Sequence, residues 1–261
     1  MKKDDSDIFY AETLDLQARL CATETRKTLS ELSAFINAQK ILEVGCGAGA
    51  QVGVLDDLLS GKEYLGVDVS DELLSMAQKK FPGKQSVRFL CQDILTFSPK
   101  QSFDFVLSFA VLQHLSNTKE ALQKYAQFIS KNGAIAIYDV NDQDEFQSNP
   151  DLPELRRLYR SITEEGTCGK RKSHCLREAK EWAHQFGLEV IVEKQSHHKI
   201  ETPELRQLFL KYAKNVGRVI QMKYHNAIDL TDLNKELENW FGQIHSWITL
   251  TSGSWLVLKK A

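Results

Sequence analysis

The sequence predicts an α/β fold built on a mostly parallel sheet, and two observations lead to that prediction. Between residues 40 and 141, short continuous apolar runs alternate with amphipathic stretches. Apolar strands separated by helices are typical of a parallel sheet that is covered on both faces. The first run leads into the glycines Gly45, Gly47 and Gly49, and an amphipathic stretch follows from Gln51 to Leu59. This order of residue types indicates a strand, a tight turn and a helix.

The composition narrows the classes of protein to consider. The chain has 261 residues, of which 42% are hydrophobic, so it suits one α/β domain with a large core. Its net charge of −2 argues against general binding to nucleic acid or to an anionic membrane. No apolar run approaches the ~20 residues of a membrane helix. The polar start of the chain lacks an apolar signal core, so we expect a cytoplasmic protein.

The cysteines do not predict a metal site. The chain has five of them, scattered without a recognisable framework, and reduced thiols are the simplest interpretation. Cys168, His174 and Cys175 lie close together in the sequence. They lack the C-x-x-C pairs and the clear fourth ligand of a structural zinc site, so no metal is expected.

Periodicity and turn residues predict the remaining elements. An N-terminal helical segment, residues 1–38, carries a helical pattern from Tyr10 to Ile36. A helix near residues 118–129 is expected to end before Asn132-Gly133. Further along we expect a polar loop over residues 143–150, helices over 151–162 and 173–184, a mobile loop over 166–173, a strand at 188–193 and a final strand at 252–258.

An insert of about residues 196–248 precedes the last strand, with helical patterns over 203–219 and 230–240. We expect a helical cap and not a second domain, because so short a segment is too small to bury a core of its own. The aromatic residues of the insert fit a pocket wall, packing on the sheet, or contact with a second copy of the chain. The sequence therefore does not decide whether the chain forms a homodimer.

Acidic residues close two of the predicted strands. Asp68 ends the second strand and Asp93 ends the third, while the fourth begins Phe103-Asp104-Phe105-Val106. Ligands of parallel sheets bind beyond the carboxyl ends of the strands. We therefore expect the groups at those ends to converge: Gly45, Asp68, Asp93, Ser108 and Asp139.

Together, the glycine turn, the two acids and the Phe-Asp-x-Val strand resemble the class I S-adenosylmethionine-dependent methyltransferases. The resemblance covers about residues 39–140, the expected cofactor-binding core of a single domain spanning residues 1–261. It implies a seven-stranded sheet with helices on both faces and an antiparallel last strand. It also implies S-adenosylmethionine as the cofactor.

The resemblance implies roles for individual residues. The turn is expected to let the cofactor lie against main chain, and Asp68 to accept hydrogen bonds from both ribose hydroxyls, which suits a group with acceptor oxygens only. Turn glycines, a capping aspartate and a packed core phenylalanine are the simpler alternatives. The expected cofactor contacts are Gly45, Cys46, Gly47 and Gly49 in the turn, Asp68 on the ribose, and Val69, Asp93, Ile94 and Phe109 around the adenine.

The reaction that the resemblance implies is an in-line displacement at an activated methyl carbon. Alignment and desolvation then supply much of the catalysis. Acceptors such as phenols or protonated amines also need a proton removed. Asp139 and His114 are the candidates for that base, and Asp139, which lies at a strand end, is the better of the two. Packing is the simpler role for His114.

Contacts to the acceptor and to the methionine end of the cofactor are less defined. Tyr10, Tyr138 and Arg171 are the expected substrate contacts, the last within the basic loop Lys170-Arg171-Lys172. Arg19 and Arg26 are further candidates for the methionine end. For the basic residues a solvated surface is the simpler interpretation.

The leading hypothesis is methyl transfer to a small-molecule acceptor. The first alternative is a tRNA or protein acceptor, although the fourth strand ends in Ser108-Phe109-Ala110-Val111 and not in an Asn-Pro-Pro-Tyr-type sequence. A second alternative is an NAD(P)-binding oxidoreductase, because Gly45, Gly47 and Ala50 fit the degenerate dinucleotide pattern. No Tyr-x-x-x-Lys pair supports it. A protein that binds the cofactor without catalysis also fits.

Overall fold

The computed structural model describes residues 3–139, 145–163, 174–224, 229–251 and 253–261. Its strands are β1 (Lys40–Val44), β2 (Glu63–Asp68), β3 (Val87–Cys91), β4 (Phe103–Phe109), β5 (Ile129–Asp139), β6 (Glu145–Asn149), β7 (Leu188–Gln195), β8 (His198–Ile200), β9 (Trp247–Thr251) and β10 (Ser254–Lys260).

The helices follow the alternation that the sequence predicts, and short 3-10 helices occupy Leu112–His114 and His184–Phe186. The α-helices are α1 (Lys3–Leu20), α2 (Ala22–Glu31), α3 (Ser33–Ile36), α4 (Ala50–Val54), α5 (Asp71–Lys80), α6 (Thr118–Phe128), α7 (Pro153–Thr163), α8 (Cys175–Ala183), α9 (Pro203–Tyr224) and α10 (Leu230–Gly242).

A seven-stranded sheet has the order β3-β2-β1-β4-β5-β10-β7. The neighbours from β3 to β5 are parallel, whereas β10 is antiparallel to both β5 and β7. The predicted α/β class, the mostly parallel sheet and the antiparallel last strand are therefore confirmed. This order brings the carboxyl ends of β1 to β5 to one edge, here called the ligand edge.

The chain divides into two compact units. The sheet unit comprises Ala22–Asp142, Lys172–Ser196 and Gly253–Ala261. Its core runs from the sheet to α6 and α8, where Tyr125 and Ala179 are fully buried. Local capping sets the start of two of its helices, because the Ser70 side chain accepts from the Leu73 N–H and the Asn117 side chain accepts from the Glu120 N–H.

The second unit comprises Met1–Cys21, Gln143–Arg171 and His197–Ser252. Its strands form a separate sheet in the order β6-β9-β8, and α1, α7, α9 and α10 contribute to the unit. Phe209 and Trp240 are fully buried in its core. The Arg206 guanidinium donates to three carbonyl oxygens at the end of α10, those of Trp240, Phe241 and Gln243. That arrangement satisfies carbonyl groups that a helix end leaves without partners.

The second unit shows where the sequence prediction of a coreless cap differs from the structure. The predicted insert at 196–248 does contain two long helices, close to the predicted bounds. However, these helices share a hydrophobic core with Leu20, Phe146 and Leu155, which come from two other parts of the chain. The size argument considered the insert alone, and the missing apolar surface is supplied by segments distant in sequence.

Several local predictions were also wrong. The helical pattern over Tyr10–Ile36 is divided into α1, α2 and α3, and α4 ends at Val54, short of Leu59. Residues 143–150 were predicted as a loop, yet β6 pairs there with β9. Helix α6 ends at Phe128, as expected, but Asn132-Gly133 lies inside β5 and does not separate the helix from the strand. The loop predicted over 166–173 lies outside the described residues.

Within the described part of the chain, no helix has both the length and the apolar character needed to cross a membrane.

Candidate active site

The glycine turn at the end of β1 has a backbone that glycine adopts readily. Gly45, Gly47 and Gly49 have φ values of 66°, 50° and 73°. Residues other than glycine rarely adopt this left-handed region of backbone conformation. The N–H groups of Gly45 and Cys46 both donate to the Val67 carbonyl, at 2.7 and 3.2 Å, so the turn is fastened to the neighbouring strand β2.

Two of these glycines also make room for the protein's own side chains. A Cβ on Gly45 would lie 2.4 Å from the nearest methyl of Val111, and one on Gly49 would lie 2.9 Å from the Phe81 ring. Both contacts are far shorter than van der Waals packing allows. Close packing therefore demands glycine at these positions, independently of any ligand.

Asp68 occupies the end of β2, beside the glycine turn. One carboxylate oxygen accepts from the Gly47 N–H at 2.8 Å and the other from the Ser70 N–H at 2.9 Å. A carboxylate has about four lone-pair sites, so each oxygen keeps capacity for a further donor. The side chain is half-buried at the ligand edge. It can therefore accept from hydroxyl groups of a ligand without losing its own backbone partners.

Asp93 lies next to Asp68 at the ligand edge. The Gln92 N–H donates to the Asp68 carbonyl at 2.9 Å, which ties the end of β3 to the end of β2. Asp93 is exposed, and one of its oxygens accepts from the Leu95 N–H at 2.8 Å. The second oxygen leaves acceptor capacity towards solvent. The two predicted acids therefore meet on adjacent strand ends.

Apolar surface accompanies the two acids. Val69 is 68% exposed and Leu90 is 40% exposed, whereas Ile94 is buried. Cys91 is an exposed free thiol, and its register partner on β2 is Asp68. Exposed apolar side chains beside hydrogen-bond acceptors are typical of a site for a flat polar ring. These groups, with the glycine turn, form what we call the glycine half of the ligand edge: the ends of β1, β2 and β3.

Two ionisable groups lie buried beneath the glycine half. Glu43 on β1 is 2% exposed, and its Oε2 has no hydrogen-bond partner. Burial, and then the charge of Asp68, raise the pKa of Glu43 well above its ordinary value. Burial also raises the pKa of the Cys46 thiol, with the Glu43 and Asp68 charges as lesser causes. Burial therefore favours the neutral form of both groups.

The ends of β4 and β5 and the start of β10 form the aromatic half of the ligand edge. Phe109 stacks on Tyr138 with ring centroids 4.4 Å apart and an interplanar angle of 14°. Trp255 lies 5.1 Å from Tyr138, and a Cβ on Gly253 would lie 2.8 Å from the Tyr138 ring. Phe109 thus has its stacking partner on β5. Its predicted place against adenine stays a prediction.

Asp139, a candidate base, is fully buried at the end of β5. Its Oδ2 accepts from the Gln113 N–H at 3.2 Å, and the Cys175 thiol lies against the same carboxyl. Nearby, the Ser108 and Tyr125 hydroxyls are 3.2 Å apart, and burial raises the pKa of Tyr125. The Asp139 carboxyl is therefore engaged inside the protein.

The other sequence candidates have varied surroundings. His114 is exposed on the 3-10 helix that follows β4. Tyr138 is 3% exposed, and Tyr10 is half-buried on α1 in the second unit. Arg171, with the whole basic loop, lies outside the described residues. These substrate contacts stay predictions.

Two basic candidates for the methionine end also have known positions. Arg26 donates to both carboxylate oxygens of Asp57, at 2.6 and 2.7 Å, and to the Val54 carbonyl. That pairing lowers the pKa of Asp57 to about 2. A guanidinium with three such bonds fixes α2 to the segment after α4, which is a structural role. Arg19 is exposed at the end of α1.

No group of three or more potential ligands suited to a metal ion occurs among the described residues. His174 lies 3.3 Å from Glu178, and Cys175 is buried against Asp139. Cys168 lies outside the described residues. His198 is buried in β8.

Sequence reasoning gave no role to three residues of the ligand edge. Val111 covers Gly45, the Gln113 amide donates to the Ala110 carbonyl at 3.2 Å, and Trp255 is fully buried beside Tyr138. Their residue types carry no signal for these positions. The apolar run after β4 was visible, but which of its members faces the turn depends on the backbone of Ala110.

The fold and the site define a class of protein. A doubly wound sheet with an antiparallel last strand carries, at its ligand edge, a glycine turn and two adjacent acids with free acceptor capacity. This is the architecture of the class I methyltransferases, which was expected from the sequence.

Comparisons with known proteins agree with that class. Residues 42–137 match the family model described as a methyltransferase domain. Malonyl-(acyl-carrier protein) O-methyltransferase of Bacillus cereus is 28% identical over 162 residues, which are 62% of this chain and 58% of that protein. The chain thus matches little more than half the length of this curated relative.

Two solved structures share the fold. An O-methyltransferase from a trans-AT PKS multienzyme of Brevibacillus brevis, in complex with S-adenosyl-L-homocysteine, has a TM-score of 0.53 and 17% identity, over 91% of this chain and 72% of that one. The (4+2)-cyclase SpnF has a TM-score of 0.56 and 16% identity, over 91% of this chain and 80% of that one. Residues 42–137 of this chain therefore match a methyltransferase domain, and the chain shares the fold of these two solved structures.

Proposed function

We propose that this protein binds S-adenosylmethionine and transfers its methyl group to a small-molecule acceptor. The observation that carries the proposal is the glycine half of the ligand edge. There a turn with three left-handed glycines, Asp68 with spare acceptor capacity and an exposed Asp93 meet on adjacent strand ends. The fold alone does not fix the reaction, since proteins of one fold perform different chemistry.

The residues of the glycine half fit the parts of this cofactor. The Asp68 carboxylate suits two adjacent ribose hydroxyls, because both of its oxygens can take another donor. Asp93 suits an amino group, and Val69 offers apolar surface to a ring. The turn from Gly45 to Gly49 suits the methionine portion, with Cys46 neutral beneath it. When bound, the cofactor supplies a methyl group activated by a sulfonium.

The aromatic half suits the acceptor side. The half-buried Phe109 packs on the buried Tyr138 and Trp255, which makes that end of the edge apolar. Exclusion of water strengthens electrostatic interactions and prevents competing hydrolysis. The protein's contribution is then chiefly alignment of the acceptor with the activated methyl.

The position of Asp139 bears on the class of acceptor. Its carboxyl is fully buried and engaged by Gln113 and Cys175, and among the described candidates His114 is the exposed one. A carboxylate acceptor carries no proton to remove, so it requires no base. The relative of Bacillus cereus is named for O-methylation of a malonyl group. We therefore favour a small carboxylate, free or as an acyl thioester, as the methyl acceptor.

Isothermal titration with S-adenosylmethionine and S-adenosylhomocysteine tests cofactor binding, with NAD and NADP as matched ligands for the oxidoreductase alternative. We expect heat from the first pair and none from the second. No heat and no thermal shift at millimolar S-adenosylmethionine reject the proposal.

Transfer of a labelled methyl group tests the acceptor. The panel comprises malonyl-CoA, free dicarboxylates, a phosphoethanolamine, and the RNA and protein fractions of a lysate. We expect label in the carboxylates, released by mild base as methyl esters are. Label only in the RNA or protein fraction would support the macromolecular alternative instead.

A further inference from the structure

The corner after β4 contains an unusual backbone. Ala110 has a φ of 58°, and it is the one non-glycine residue with positive φ in the part of the chain that the structure describes. An alanine in this region persists only where its surroundings hold it. The corner joins the two halves of the ligand edge, because Phe109 precedes Ala110 and Val111 follows it.

Hydrogen bonds hold both polar groups of the Ala110 backbone. Its N–H donates to the Tyr138 carbonyl at 2.7 Å. Its carbonyl accepts from the Gln113 side-chain amide at 3.2 Å. Gln113 is itself 2% exposed, so solvent does not compete effectively for this amide.

Asp139 holds Gln113 in turn. The Gln113 backbone N–H donates to Asp139 Oδ2 at 3.2 Å, and the carboxyl also contacts the Cys175 thiol on α8. Asp139 is fully buried. A continuous chain of contacts therefore runs from α8 through Asp139 and Gln113 to Ala110, and every link lies inside the sheet unit.

The backbone of the corner decides where two side chains lie. Val111 is placed over the glycine turn, with a methyl 2.4 Å from where a Cβ on Gly45 would be. Phe109 is placed on Tyr138, with ring centroids 4.4 Å apart. If Ala110 relaxed to negative φ, the direction of the chain at Val111 would change and the wall beside Gly45 would open.

We propose that Asp139 and Gln113 are positioning residues that hold the Ala110 corner, and that they support cofactor affinity by seating Val111 beside the glycine turn. This inference rests on the proposed function, and it removes Asp139 from the role of base. Neither residue needs to contact the cofactor for this effect. The side chains beside the site are those of Val111 and Phe109, which the Ala110 corner places.

Cofactor affinity, measured by calorimetry on purified full-length variants, tests the proposal without turnover. Gln113→Met keeps the length of the side chain and removes the amide donor, so the dissociation constant for S-adenosylhomocysteine should rise at least fivefold. Ala110→Gly in that background should restore most of the affinity, because glycine accepts positive φ without support. A general structural defect would not be rescued at Ala110. Gln85→Met, at an exposed position, is the matched control.

Variants of Asp139 distinguish a positioning residue from a catalytic base. Asp139→Asn keeps an oxygen acceptor for the Gln113 N–H, so affinity should stay within threefold. Asp139→Leu removes the acceptor, so affinity should fall at least fivefold. A base that touches only the acceptor molecule would leave cofactor affinity unchanged in both variants. Where Gln113→Met folds poorly, Gln113→Asn shortens the side chain and breaks the same bond.

The outcomes are distinct. If the unmodified protein does not bind the cofactor, the proposed function fails and this inference falls with it. If that protein binds but Gln113→Met, Gln113→Asn and Asp139→Leu bind equally well, the proposed function stands and the positioning role is overturned. Failure of Ala110→Gly to restore affinity likewise overturns the part of the proposal that concerns the corner.

Discussion

The two halves of the ligand edge place acidic residues at strand ends in opposite ways. In the glycine half, Asp68 is half-buried and Asp93 is exposed, and both keep acceptor capacity. In the aromatic half, Asp139 is fully buried and engaged by Gln113 and Cys175. Position at a strand end is therefore not enough to make an acid available to a ligand, since exposure and existing partners decide it.

The largest effect on stability is expected from adding a side chain in the glycine turn. Gly45→Ala would place a Cβ 2.4 Å from Val111 at a φ of 66°, so the free energy of unfolding should fall by about 2–4 kcal/mol. Gly61→Ala is the matched control, because Gly61 has a φ of 76° and open space around its Cβ position. It should lose about 1 kcal/mol. Urea unfolding measures both, and equal losses would contradict a packing role for Gly45.

The next largest effect is expected on cofactor affinity at Asp68. Asp104 is the comparison, because both carboxylates accept hydrogen bonds from backbone N–H groups. Asp68→Asn should weaken S-adenosylmethionine binding by about 1.5–3 kcal/mol, because the charged acceptor of two hydroxyls is lost. Asp104 also accepts two backbone bonds, from Gln39 and Lys40, both at 3.0 Å, but it lies at the opposite end of β4. Asp104→Asn should change stability and not affinity. Calorimetric titration of both variants decides, and equal loss of affinity would argue against the ribose role.

Glu43 predicts a pH dependence of stability. Its pKa is raised in the folded protein, so the folded state binds the proton more tightly than the unfolded chain does. The stability from that proton is complete below the ordinary pKa of about 4.5 and is lost as the pH rises towards the folded pKa. Glu43→Gln should remove this loss, with a gain of about 1–2 kcal/mol at neutral to alkaline pH.

Unfolding measured from pH 5 to 9 checks the Glu43 prediction, with exposed Glu63→Gln as the control on the neighbouring strand. We expect the variant and the unmodified protein to converge at low pH. A constant difference at every pH would mean that Glu43 does not titrate in this range.

The smallest effect is expected at Arg26. Its pair with Asp57 is largely solvent-exposed, so Arg26→Ala should lower the free energy of unfolding by less than about 1 kcal/mol. Cofactor affinity should not change. The pKa of Asp57, held at about 2 by Arg26, should return towards its ordinary value, which NMR titration detects. A clear loss of affinity would restore Arg26 as a contact to the methionine end.

Much of the sheet unit could be predicted because its signals are local. Continuous apolar runs predicted the strands of the parallel part of the sheet, β1 to β5. Asp68 and Asp93 were found as acids that follow apolar strands, and the sheet order brings them together. In these elements, neighbours in the sequence determine the structure.

The rest depends on contacts between distant segments. β6 pairs with β9 across about 100 residues, and β6 lacks the alternating pattern that would identify it as a strand. The burial of Asp139 depends on α8, and the left-handed backbone of Ala110 depends on Gln113 and Tyr138. An alanine carries no sequence signal for positive φ. The sequence therefore could not predict that the acids of the glycine half are accessible whereas Asp139 in the aromatic half is buried.

Cys91 has a practical consequence for experiments on this protein. It is the exposed thiol among the described cysteines, and it lies opposite Asp68 in the sheet register. A maleimide dye would attach there in preference to the buried Cys46 and Cys175, on the strand next to Asp68, the proposed ribose acceptor. Labelling rates with and without ligand would then give a fluorescence assay for occupancy that needs neither a known acceptor nor radioactivity.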